Sequence, residues 1–479
     1  MSDTPVYDGA IDYSKKHAVR DLYRFNQLLP TQTAAITLGQ NSPDVYFELP
    51  AVPMNHAKSY LEFDFAVPQV AADAAQGRTV DMATLGVPQL ARLSLYTRGG
   101  VQLAEIQDCS RYLATVLPYT TSRDELMDAE PARFKAGAAP NEPLLPIAPI
   151  GVFTPLGGTS NTIDATAAYA ESTKPCQLVP TINGAPEPAS ATYQDISQFA
   201  RLTVAANAVL PALFAHYQIP LSVFKHTILA MDKDIYWGQI IILRLTFATI
   251  EKIGQCSRLT DNSVFAGIVA PVISNLYLQI ARCADPIVAA QLVSKVNSSG
   301  HRLVVPYVQQ YMLQNNTAAS AINLKLNVGY GQRLLRIYNV VYSNAANVTG
   351  MQYLCHNNVS NELVTSYYTT LNNSRLQDQD IVCSRYMDYE QMKHMLKGCA
   401  VQGARSYRAV HCHIDNWTAG KSKDWEQADS DEVVDGLSLE MEQSYSWYPT
   451  VADNTPRAYY SFMIVQKELN ISSSMITIV

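Results

Sequence analysis

Two histidines one residue apart, His411 and His413, flank Cys412 and stand just before Asp415. On an extended strand, residues two apart share a face, so His411 and His413 point one way and Cys412 the other. Two imidazoles on one face hold a metal when a third ligand joins them, and Asp415 is the nearest residue able to serve. Trp417 and Trp425 follow, aromatic residues of the kind that form sugar platforms. A solvent-facing histidine pair beside an apolar cysteine explains the same residues without chemistry, and it would titrate near about pH 6–7. No second, well-spaced histidine pair accompanies it, so no metal or cofactor site is assigned.

The other motifs fail on single residues. Gly420-Lys421-Ser422 matches the end of a phosphate-binding loop, but Asp415 stands where the loop needs glycine. Gly436-Leu437-Ser438 is half a nucleophile elbow, and Glu440 replaces its closing glycine. The acidic run at 424–435, DWEQADSDEVVD, lacks the alternate acids and central glycine of a calcium loop. Asp232-Lys233-Asp234 reads as a turn ahead of Trp237. No catalytic, cofactor-binding or metal residues are therefore assigned, and the chain is read as a non-enzyme.

Composition narrows the classes further. The 479 residues exceed one ordinary domain and suit two β-domains of roughly 200–250 residues. The net charge is −7, with no basic stripe or tail, which argues against direct specific nucleic-acid binding. Eight scattered cysteines (Cys109, Cys176, Cys256, Cys283, Cys355, Cys383, Cys399 and Cys412) form no CxxC and read as free thiols. The polar, acidic start, MSDTPVYDGA, does not read as a signal peptide. No apolar run approaches the ~18 residues of a membrane-spanning helix. Tyrosine dominates the aromatics, 28 against 12 Phe and 4 Trp, which suits strand faces that become interfaces.

The elements are mostly strands. The stretch 217–252 is the pivot: a turn, a short amphipathic piece, a polar break, then a long strand over 238–250. Ile241, Leu243, Leu245 and Phe247 share an apolar face of that strand. Before it, the spacing predicts strands over 34–38, 45–49, 60–66, 90–96 and 199–210, with a helical rhythm over 102–117. Ala18, Leu22, Phe25 and Leu29 fall at helical spacing in the arm and predict a short helix. After the pivot, strands are expected over 274–281, 303–313, 321–330, 334–342, 407–414, 437–448, 458–469 and 474–479. Helices are expected over 285–296 and 386–396. Residues 122–198 hold ten of the 25 prolines and read as a long loop. About eight strands per half predicts an all-β chain of two tandem eight-stranded jelly rolls with a few short helices and long inserted loops. The boundaries are an arm over 1–32, a first roll over 33–252 (its loop at 122–198) and a second roll over 253–479.

Four stretches resemble one family. They are LSLYTRGGVQLAEI at 93–106 with Arg111-Tyr112, the pivot from IPLSVF at 219–224 onward, LNNSRLQ at 371–377, and DGLSL at 435–439 running to YYSFMIVQKELNI at 459–471. In pattern and order these resemble the double jelly-roll major capsid proteins of tailless icosahedral DNA viruses, the virophage and Polinton-like group. The resemblance implies a homotrimer that forms a pseudo-hexameric capsomer, neighbouring capsomers, and separate penton and minor capsid proteins as partners. It implies a location in the virion, with synthesis in the host cytoplasm, and leaves the presence of an internal membrane open. The loop at 122–198 would project from the top and the arm would lie at the base. The alternative is a two-domain, cupin-like metal enzyme or carbohydrate-binding protein built on His411, His413 and Asp415 with Trp417 and Trp425.

Overall fold

The computed structural model describes residues 23–32, 35–38, 43–67, 78–83, 90–120, 132–136, 181–182, 185–186, 199–204, 213–248, 254–258, 270–315, 321–327, 332–343, 364–371, 374–375, 378–382, 413–416, 433–434, 440–447, 457–473 and 475–478. Strands dominate, and each pairing with its neighbour is antiparallel. The chain is all-β, a double jelly roll.

The first half is a sandwich of two sheets. One runs in the order Tyr23–Leu28, Val272–Cys283, Met54–Val67, Leu213–Pro220, Ala132–Ala136. The other runs Asp44–Leu49, Ile241–Phe247, Leu90–Thr97, Gln102–Ile106. Alternation builds the core between them. Leu61, Phe63 and Phe65 point inward from Met54–Val67, and Ile241, Leu243, Leu245 and Phe247 point inward from the strand opposite. The Phe63 and Phe247 rings meet edge to face across the layers with centroids 6.2 Å apart. Tyr217 stacks beside Phe63 at 4.9 Å.

The second half repeats the plan. His301–Asn315, Arg457–Ile471, Gln332–Ser343 and His413–Asn416 form one sheet; Ala321–Asn327, Glu440–Trp447, Val364–Leu371 and Ser374–Arg375 form the other. The Arg457–Ile471 strand is central, paired along its length with His301–Asn315 on one side and Gln332–Ser343 on the other.

Two expectations are corrected. The helical spacing through Phe25 and Leu29 does not make a helix, because Tyr23–Leu28 is a strand paired with Val272–Cys283, Tyr23 opposite Cys283 and Leu28 opposite Leu278. The open edge of Val272–Cys283 satisfies every second backbone group of the segment, and that ladder outweighs a short local period. Val272–Cys283, expected among the second-half strands, hydrogen-bonds instead with Met54–Val67 of the first. The crossing between halves therefore falls at the helix Pro286–Ser298. Asp285 caps that helix, its carboxylate accepting from the N–H groups of Ile287 and Val288, and proline occupies the first turn. Gly238, at φ 70°, lets the chain turn beside the helix's Val296 and the backbone of Ser472 and Ser473. The expected helix at 386–396 and most of the 122–198 loop lie outside the described residues.

Buried polar groups sit in the first core as well. Trp237 donates its indole N–H to His56 Nε2 at 2.9 Å, with both side chains fully buried. Burial pushes the His56 imidazole down to about 4. Folded His56 thus stays neutral where the unfolded chain takes up a proton near its ordinary ~6.5. Above that value the group adds no pH dependence. As the pH falls from about 6.5 to about 4 it removes roughly 3 kcal/mol of stability, and below that no more. His56→Gln keeps an acceptor for Trp237 but cannot titrate, so its Tm should fall less steeply over this interval. Parallel slopes for the two proteins would show that His56 does not titrate with folding.

Candidate functional site

The sequence-derived metal candidates are not assembled by the described residues. His413 and Asp415 lie on the strand His413–Asn416, opposite Asn339 and Ile337 of Gln332–Ser343. His411, Cys412, Trp417 and Trp425 fall outside the described residues, as does the Gly420-Lys421-Ser422 stretch. Among the described residues, no three His, Cys, Asp or Glu side chains come together as a metal cluster. Asp232 and Asp234 are indeed drawn into a structural knot. Asn55 donates to Asp232 Oδ1 at 2.9 Å and to the Tyr23 hydroxyl at 3.0 Å, and Lys58 pairs with Asp232 at 3.0 Å. Burial raises the Asp234 carboxyl and pushes the Tyr23 phenol up to about 12.

The most elaborate constellation is the seam where the halves meet. It is built from the first half's helix Cys109–Thr120 and the loop after Leu213–Pro220, set against the second half's Arg457–Ile471 and Gln332–Ser343. The loop is locked by its own sequence. Leu221–Val223 and Ile228–Ala230 form single 3-10 turns. Between them Thr227 donates to the Phe224 carbonyl at 2.6 Å and accepts from the Leu229 N–H at 3.3 Å. His226 takes φ 58°, a left-handed conformation that histidine tolerates better than most non-glycine residues. The whole segment from Phe224 to Met231 is buried.

Polar contacts tie the loop to its own helix and to the second half. Tyr112 donates its hydroxyl to the Lys225 carbonyl at 2.9 Å and meets Phe462 edge to face at 5.2 Å. Tyr338, from the second half, hydrogen-bonds His226 Nε2 at 2.9 Å. Nearer the rim, Arg111 pairs with Asp108 at 3.1 Å, donates to the Tyr460 hydroxyl, and sits 4.8 Å from the centre of that ring. The Asp108 backbone N–H donates to Gln310 Oε1 at 3.0 Å. Apolar packing is continuous through this region: Tyr112 and Leu113 share one buried cluster with Tyr338, Phe462 and Ile464.

The electrostatics of the seam favour silence over chemistry. Burial, with Arg336 and Lys225 nearby, holds the His226 imidazole well below its usual range, so it is neutral at ordinary pH. Burial pushes the Tyr112 phenol and the Cys109 thiol well up. Neither a nucleophile nor a general base at neutral pH results. What the arrangement does is fix two sandwiches against one another. The sequence placed Arg111-Tyr112 in a helical rhythm and the pivot in a turn ahead of a long strand; that they touch was not readable.

No family model matches the chain, and no curated protein matches it in sequence. Solved structures do match its fold. A chain of the Sputnik virophage gives a TM-score of 0.52 at 12% identity, covering 98% of this chain and 91% of its own. The Faustovirus major capsid protein gives 0.52 at 10% identity, covering 96% and 93%. The mavirus major capsid protein gives 0.50 at 10% identity, covering 97% and 92%. At such identities the likeness is one of fold, and it extends over nearly the full length of both partners in each pair: the tandem double jelly roll is shared as a whole.

Proposed function

We propose that this chain is a major capsid protein, the structural subunit of a tailless icosahedral DNA virus. The observation that carries the reading is the fused pair of jelly rolls, matched end to end by the virophage, Faustovirus and mavirus chains. Two similar rolls in one chain give three copies a six-lobed outline, so a homotrimer fills a pseudo-hexameric place in a shell. Closed threefold symmetry stops growth at the trimer, and trimers then tile through weaker contacts. A trimer of this kind buries on the order of 2,000 Å² or more per interface. The low charged fraction, 16%, and the 28 tyrosines suit surfaces used in contact. In this reading the protein resides in the virion and catalyses nothing. Its partners are its own copies, then penton and minor capsid proteins.

The solution mass tests this directly. Light scattering should give about 158 kDa, three copies of a 52.8 kDa chain, and the species should resist dilution. A stable 52.8 kDa monomer would overturn the proposal. The seam makes a second prediction, about stability. Tyr338→Phe removes the hydrogen bond to His226 across the seam and should cost about 1–3 kcal/mol. Phe462→Ala empties the ring's place against Tyr112 and should cost about 3–5 kcal/mol. Both are read from denaturant midpoints, and losses near zero would mean the seam does not hold the halves.

A further inference from the structure

On Tyr23–Leu28, Arg24 stands directly opposite Arg282 of Val272–Cys283. Side chains directly opposite on antiparallel strands share one face, with Cβ atoms about 5 Å apart. Both arginines are exposed. None of the ion pairs among the described residues involves either one. The polar neighbour is Asn26, whose amide oxygen, oriented to satisfy its hydrogen bonds, accepts from Arg282 at 3.3 Å. Like charges so placed repel one another. A carboxylate bridging the two guanidinium groups relieves that, and arginine binds carboxylates in a forked geometry.

The same strand has a second vacancy. Among the described residues, Tyr23–Leu28 pairs only with Val272–Cys283. Its outer edge presents backbone N–H and C=O groups that an added extended segment can pair with. Phe25 and Leu29 are more than half exposed beside that edge. The surface thus fits an extended, acidic segment.

The chain carries such a segment. Residues 424–435, DWEQADSDEVVD, hold six carboxylates and no basic residue. Their valines, Val433–Val434, are extended and pair with Gln332 and Arg333. Arg333 stands opposite Gln466, and that strand runs on to Ile471 opposite His301. His301 follows the helix Pro286–Ser298, which starts just past Cys283, the partner of Tyr23. The described part of that segment, Val433–Val434, thus joins the same sheet as His301. Among the described residues no carboxylate pairs with either arginine.

We propose that Arg24, Arg282 and the open edge of Tyr23–Leu28 form a docking surface for residues 424–435 of a second copy of this chain. The proposal rests on the assembly reading above and names one contact that assembly uses. The test is charge exchange between full-length chains. Arg24→Glu with Arg282→Glu should weaken self-association by about tenfold or more, read by sedimentation across a concentration series. Asp429→Lys with Asp431→Lys should weaken it similarly. A chain carrying all four substitutions should restore association toward the unsubstituted level, which misfolding of either double variant could not produce. Unchanged association of the arginine variant, or a four-substitution variant that fails to recover, overturns the contact. If the unsubstituted chain is a trimer and only the contact fails, the capsid reading stands; if it is a monomer, both fall.

Discussion

The seam between the halves is the constraint on which the rest of the molecule depends. A buried loop is costly unless its backbone groups find partners, and the loop from Leu221 to Met231 is buried almost throughout. It is tolerated because Tyr112 donates to the Lys225 carbonyl, Thr227 ties Phe224 and Leu229, and Tyr338 engages His226. Two of those partners come from elsewhere in the chain. Tyr112 sits on the helix that follows the first roll's Gln102–Ile106 strand, and Tyr338 sits in a central strand of the second roll. The loop can therefore be ordered only when both rolls are present and docked. A pair of independent sandwiches on a linker would leave Phe462, Tyr460 and Tyr112 facing water.

This explains why the interior is chemically quiet. His56 and His226 are held neutral by burial, Cys109 and Tyr112 are held protonated, and each lies where a charge would have no solvent. Some exposed charges pair with one another, as with Arg98 and Glu48 or Arg302 and Glu468. Arg24 and Arg282 have no ion-pair partner among the described residues, the observation on which the proposed docking surface rests.

Much of the fold was legible because half-buried strands alternate. The inward set Ile241, Leu243, Leu245 and Phe247 is visible in the letters alone, and so are the strands around 303–313 and 458–469. What escaped did so for physical reasons. Met54–Val67 begins six residues earlier than its apolar alternation, because Asn55, His56 and Ser59 are buried with hydrogen-bond partners as distant as Trp237. Val364–Leu371 hides because its inward residues include Thr369 beside Tyr367. Lys225-His226-Thr227 looks like an exposed turn, since the groups that satisfy it are more than a hundred residues away. The strand Tyr23–Leu28 carries a helical spacing and is decided by the edge it joins.

Whether the rolls truly form one block is best tested by calorimetric unfolding of the intact protein. With the seam intact, the two sandwiches should melt together. The predicted result is one transition whose calorimetric and van't Hoff enthalpies agree. Two separable transitions, one for each roll, would contradict it and leave the seam as a contact between independent domains.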